Sequence, residues 1–158
     1  MRKLKLYLET SVWNFMFADD APEKMKATKQ FFDEINKGKY EIYISNIVLA
    51  EIDRADSKTK EKLTNLINKY NPIELKGKEE VDSLSEKYIA ANIIPKRFEE
   101  DSMHVAFATV YDLNAIVSWN LKHIVKLKTR VEANAINRVD GYREIEICTP
   151  EEVIENGN

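Results

Sequence analysis

Apolar and polar positions switch along this chain between a period of two and a period near 3.6, and the switches mark out strands and helices in alternation. Leu4, Leu6 and Leu8, with Tyr7 between them, predict a first strand with one strongly buried face, ending at Glu9-Thr10-Ser11. Thr10 or Ser11 is placed to cap Val12 to Phe17, a segment whose Trp13, Phe15, Met16 and Phe17 are too apolar for a free loop. Glu23 to Lys37 carries Met25, Thr28, Phe31, Phe32 and Ile35 at helical spacing, and Gly38 stops it. Tyr40 to Ile44 is a second strand, followed by a Ser45-Asn46 cap and a helix from Ile47 that holds Glu51 beside its apolar stripe. Ser57 to Lys69 is a further helix, Ile73-Glu74-Leu75 a short third strand, and Lys78 to Ala91 a helix around Val81, Leu84, Tyr88 and Ile89.

The stretch from Phe98 to His123 organises the rest. Asp101, Val105, Ala108 and Asp112 share one helical face, with Asp101 in the first turn where the helix dipole favours a carboxylate. Ala115 to Ser118 is an uninterrupted buried strand, and Trp119-Asn120 leaves it at its carboxyl end. Leu121 to Arg138 reads as helix in one or two pieces, Ile145 and Ile147 as a last strand, and Thr149-Pro150-Glu151-Glu152 as the start of a final helix. The tail Asn156-Gly157-Asn158 reads as frayed. Strands alternating with helices imply a Rossmann-like three-layer α/β/α fold around a parallel sheet of four to five strands.

Composition narrows the class. At 158 residues, with 44% hydrophobic and 32% charged positions, the chain fits a single soluble globular domain over 1–158. A lone Cys148 excludes an internal disulfide, and neither a signal-peptide core nor a membrane-length apolar run is visible, so a cytoplasmic location with no membrane partner is expected. The formal charge of −3 gives no global attraction to a polyanion; nucleic-acid binding would need local basic patches or metal ions.

The candidate chemistry lies in four oxygen-bearing side chains: Glu9 past strand one, Glu51 in the helix after strand two, Asp101 before strand four and Asn120 after it. Carboxyl ends of parallel strands converge on one crevice, so all four can reach one pocket. Three carboxylates brought together repel unless protons or a cation neutralise them, and an all-oxygen set favours Mg²⁺ or Mn²⁺. Such an ion suits phosphodiester hydrolysis. Thr10, Ser11 and Ser118 are positioned either to orient these carboxylates or to act as caps.

The segments YLETSVW (Tyr7 to Trp13), SNIVLAEI (Ser45 to Ile52), DSMHVAFA (Asp101 to Ala108), AIVSWNLKHI (Ala115 to Ile124) and GYREIEICTPEEV (Gly141 to Val153) together resemble PIN-domain proteins, the family that includes the VapC-type toxin ribonucleases. The resemblance implies a Mg²⁺- or Mn²⁺-dependent endoribonuclease acting on single-stranded RNA, frequent homodimers and, in the toxin branch, an antitoxin partner. It aligns Glu9 with the family's usual first Asp, Glu51 with its Glu, Asp101 with its next Asp and Asn120 with its final Asp, and so implies metal and catalytic roles for these four. Glu9 would carry its carboxylate roughly 1–1.5 Å further than Asp, and neutral Asn120 would weaken a second metal. The competing reading is a catalytically weak or inactive PIN-fold module that binds RNA or protein. A nucleotide-binding Rossmann domain is disfavoured because no G-x-G-x-x-G occurs.

His104 and His123 could serve acid–base chemistry, although a satisfied structural histidine is the simpler reading of each. Trp13 and Trp119 could stack on bases, with core packing the simpler use, and the basic run Lys122 to Arg130 reads as a solvated face or an RNA contact.

Overall fold

A computed structural model describes residues 2–155. The tail Asn156 to Asn158, read above as frayed, lies outside them. Five strands form one sheet in the order β3-β2-β1-β4-β5: β1 (Leu4–Leu8), β2 (Tyr40–Ser45), β3 (Ile73–Leu75), β4 (Ala115–Val117) and β5 (Glu146–Cys148). Every pairing is parallel. In β1 the residues Leu6, Tyr7 and Leu8 are all buried, as expected of a central strand covered on both faces.

The helices are α1 (Thr10–Asn14), α2 (Pro22–Asn36), α3 (Asn46–Asp53), α4 (Ser57–Tyr70), α5 (Glu79–Ala90), α6 (Glu99–Val110), α7 (Leu127–Val139) and α8 (Pro150–Glu155). Short 3-10 turns at Phe15–Phe17 and Lys96–Phe98 precede α2 and α6. α2 packs on α8, whereas α5 packs on α6 and α7. Right-handed crossovers place these two groups on opposite faces, because the chain runs outward from β1 in one direction to β3 and in the other to β5. That reversal makes the gap between the carboxyl ends of β1 and β4 the topological switch point.

Local chemistry explains the element starts. Ser45 Oγ accepts from the Ile47 N–H at 3.1 Å and caps α3, a contact worth about 1 kcal/mol in comparable helices. Thr149 and Glu152 form a reciprocal capping box at α8. At α1, by contrast, Thr10 is the first helical residue and neither Thr10 nor Ser11 caps it; both hydroxyls are used elsewhere.

One predicted helix starts late. Residues 121–126 are turns, and α7 begins only at Leu127. The Asn120 side chain accepts from the His123 N–H at 3.0 Å, and the Asn120 carbonyl accepts from Ile124 and Val125, closing a compact turn that a continuous helix could not make. Both tryptophans are core residues. Trp13 is fully buried against Phe32, and Trp119 donates its indole N–H to Thr28 Oγ1 at 2.8 Å, so neither is presented for base stacking.

Candidate metal centre at the carboxyl ends of β1 and β4

The ladder between β1 and β4 pairs Leu8 with Val117, and the Glu9 N–H extends it to the Val117 carbonyl at 3.1 Å. Glu9 and Ser118 therefore stand side by side, one step beyond the paired strands. Glu9 is only 4% exposed, and its Oε1 accepts from Ser11 Oγ and Ser118 Oγ, each at 2.6 Å. Ser11 Oγ also accepts from the Trp119 N–H, and Ser118 Oγ from the Asn120 N–H. Four residues from two chain segments thus fix one carboxylate.

Side-chain alternation along β1 sends Tyr7 and Glu9 to the same face. That face meets α6, where the Tyr7 ring lies 5.6 Å from His104 and 6.4 Å from Phe107. On α6, His104 follows Asp101 by three residues and shares its side of the helix. From α3, one and a half turns beyond the Ser45 cap, Glu51 reaches the same place. Its Oε1 accepts from Thr10 Oγ1 at 2.5 Å and bonds His104 Nε2 at 2.6 Å.

Glu9, Glu51 and His104 each bring a ligand atom within 4.8 Å of the others. Asp101 stands outside this tight group but feels its field. Burial pushes the Asp101 carboxyl up to about 6; Asn120 beside it pulls down, while the charges of Glu9 and Glu51 push further up. Burial also works against ionised Glu51, yet the bond and charge of His104, with Thr10 and Arg54, hold it below its ordinary value. The fully buried His104 ring would be pushed down by desolvation, but Glu51, Glu9 and Asp101 outweigh this and raise it.

His123 Nδ1 lies 3.3 Å from Asp101 Oδ2 and its ring sits 4.2 Å from that of Phe98. Burial, then Lys126, Lys122 and Arg97, push its basicity down, so at neutral pH it brings Asp101 no positive charge. Arg54, whose charge reaches Glu51, is paired with Glu100 at 2.5 Å. Among the described residues no lysine or arginine pairs with Glu9, Glu51 or Asp101. Three carboxylates thus share a site against one buried imidazole, His104 on Glu51, and their oxygen-rich donor set suits a hard divalent ion. A cleft of about 400 Å³ opens the site to solvent between Glu51, Arg54, Arg97, Phe98 and Asp101.

The four sequence candidates all meet at this corner, and so do Thr10, Ser11 and Ser118, whose hydroxyls donate to the carboxylates. Asn120 is spent differently: its Oδ1 is taken by the His123 N–H, leaving the amide to act on Asp101. Tyr7 and Ser45 lie outside the sequence candidates, and His104, read there as structural, is indeed buried and satisfied, but by Glu51. The signal for it was its spacing from Asp101, three residues on a helix whose inner face meets β1. In the basic run Lys128 and Arg130 donate to the carbonyls of Asn92 and Ile147.

No family model matches the chain, and no curated protein matches it in sequence. Solved structures do match by fold. One is the DNA-bound VapBC of Salmonella typhimurium, with a TM-score of 0.53 at 17% identity over 93% of this chain and 98% of that one. Another is VapBC2 of Rickettsia felis bound to a DNA fragment from its promoter, with a TM-score of 0.52 at 14% identity over 73% of this chain and 87% of that one. At such identities the likeness is one of architecture, and that architecture, a parallel five-stranded sheet between helices, is PIN-like.

Proposed function

We propose that this chain is a divalent-metal-dependent endoribonuclease of the VapC type, the toxin half of a toxin–antitoxin pair. The observation that carries the reading is the meeting of Glu9, Glu51 and Asp101 at the β1/β4 switch point with no lysine or arginine paired to any of them. Glu9, Glu51 and Asp101 hold Mg²⁺ or Mn²⁺, and Asn120 assists by orienting Asp101. A divalent ion bound there supplies the charge that draws in a phosphodiester and lowers the barrier to its hydrolysis. Ser11, Ser118 and Thr10 hold the carboxylates in place, and Arg54 and Arg97 line the approach. The partners proposed with this activity are single-stranded RNA, a small antitoxin and a second copy of the chain. The two fold neighbours support the antitoxin, since both are VapBC complexes.

The test is cleavage of single-stranded RNA with Mn²⁺ or Mg²⁺ present. The wild-type chain should cut and Asp101→Asn should not, while its circular dichroism and melting remain native. Full activity in Asp101→Asn would sink the assignment. An inactive wild type that gains cleavage on Glu9→Asp with Asn120→Asp would instead identify a PIN-fold binding module that has lost turnover.

A further inference from the structure

We infer that His104 is a positioning residue for Glu51, braced from behind by Tyr7 and Ser45, and not itself a metal ligand; the assignment rests on the metal-site reading above. Both ring nitrogens are occupied. Nε2 faces Glu51 Oε1 at 2.6 Å and Nδ1 faces the Tyr7 phenol oxygen at 2.6 Å, in a ring with no solvent exposure. A ligand needs a free lone pair directed at the ion, and neither nitrogen has one.

The direction of the hydrogen bonds follows from the Glu51 end. An ionised carboxylate only accepts, so Nε2 carries the hydrogen and donates. In the neutral ring Nδ1 then accepts from the Tyr7 hydroxyl, and the Tyr7 oxygen accepts from Ser45 Oγ at 2.8 Å. Ser45 Oγ in turn accepts from the Ile47 N–H. Every hydroxyl is satisfied in sequence, and Nε2 donates whether the ring is neutral or charged.

The chain of bonds closes on itself through the backbone. Ser45 caps α3, and Glu51 projects from the same α3. The path from Ser45 to Tyr7 on β1, to His104 on α6 and back to Glu51 therefore fixes both the start of α3 and the carboxylate it carries. With Thr10 and His104 both on Oε1, the Glu51 carboxylate is oriented before any ion arrives, and Oε2 remains for it. Partners of this kind typically change metal affinity 10–100-fold when removed.

Mn²⁺ binding to the full chain tests this, measured by calorimetry and by the electron spin-echo spectrum of the bound ion, with His104→Leu, His104→Gln and Tyr7→Phe compared to wild type. Expected are a loss of affinity of about tenfold or more in His104→Leu and recovery of most of it in His104→Gln, which keeps a donor for Glu51 and an acceptor for Tyr7. Tyr7→Phe should fall between them, and no imidazole-nitrogen coupling should appear on the wild-type ion. Wild-type affinity in a folded His104→Leu, or an imidazole coupling that disappears in that variant, overturns the assignment. Should His104→Leu fail to fold, unchanged affinity in Tyr7→Phe overturns it equally. Wild-type protein that binds no Mn²⁺ removes the metal-site reading and this assignment together, a result distinct from bound metal of unaltered affinity.

Discussion

Two buried polar clusters sit on the same side of this sheet and are built from opposite materials. One joins α5, α6 and α7: Tyr88 donates to Asn137 Oδ1, Asn137 donates to Asn134 Oδ1 and Thr109 Oγ1, and Asn134 exchanges bonds with the backbone of Ile145. The other is the corner of Glu9, Glu51, Asp101 and His104. Neither leaves a buried side-chain nitrogen or oxygen without a partner among the described residues. Hydrogen-bond satisfaction therefore does not separate them; charge does. The amide cluster balances neutral donors and acceptors, as a group retained for packing specificity should. The carboxylate corner gathers three acidic groups, holds Glu9 and Glu51 with hydroxyls that do not neutralise them, and sets a single imidazole, His104, against Glu51. A fold that accepts that repulsion in its apo state is poised for a cation.

The largest effect that would separate the clusters is on metal binding and cleavage. Glu51→Gln keeps an acceptor for Thr10 and His104 but removes the charge. It should lower Mn²⁺-dependent RNA cleavage by about a hundredfold or more, with melting of the metal-free protein unchanged or slightly lower, because His104 and Thr10 favour ionised Glu51 in the folded state. Activity near wild type would place the chemistry elsewhere. Next in size is the response to the ion itself. Mn²⁺ at a hundred times its dissociation constant should stabilise the wild-type chain by about 2.7 kcal/mol, read as a rise in melting temperature, and should leave Glu51→Gln unmoved.

The amide cluster predicts the reverse pattern. Asn137→Leu leaves the buried Tyr88 hydroxyl only its long bond to Thr109 Oγ1 at 3.4 Å and removes one of the two donors to Asn134 Oδ1, which should cost about 2 kcal/mol, or about 4–8 °C of melting temperature for a chain of this size. The stabilisation by Mn²⁺ in that variant should equal that of wild type. A variant whose metal response also collapsed would show the two clusters to be one coupled network.

The contrast explains what could be read in advance. Strand ends and helix starts are written locally: alternation marks β1, Ser45 announces α3, and an acid at the first turn marks α6, so Glu9, Glu51 and Asp101 could be placed at one sheet edge before any coordinates. Parallel topology then brought them together, with α3 fixed by a cap and β1 by burial on both faces. His104 was less legible because α6 is apolar on nearly every side, and the partner that defines its role lies 53 residues away. Tyr7 looked like one more buried strand residue; only its phenol oxygen, between Ser45 and His104, gives it a second use. The late start of α7 was hidden because residues 121–126 carry a helix-compatible pattern, while the turn that replaces the helix depends on a side-chain bond from Asn120. That bond spans only three residues, a local alternative to the helix that an Asn after a strand offers and that the helix-compatible pattern masked.

The smallest expected effect is the most specific to the carboxylate corner. In the metal-free chain Asp101 is raised from 3.8 to about 6 and His104 is raised above 6.5, so the folded state holds protons there more tightly than the unfolded chain does. Stability from both groups is present at low pH and lost as pH rises through their folded values. Lowering the pH from 7.5 to 5 should therefore stabilise the metal-free protein. Because the Asp101 carboxylate is partly solvated, the gain should be on the order of 1 kcal/mol. Glu51, held below 4.5, has the opposite sign, and its contribution is lost only as pH falls below that value, so the curve should turn over near pH 5. Saturating Mn²⁺ should invert the slope, since the ion requires deprotonated carboxylates, and Asp101→Asn should flatten the metal-free curve while Asn137→Leu shifts it without changing its shape. Thermal melts across that range, with and without Mn²⁺, decide the point: a metal-free curve that falls between pH 7.5 and 5 would mean that the charge gathered at β1 and β4 is already balanced by the protein itself.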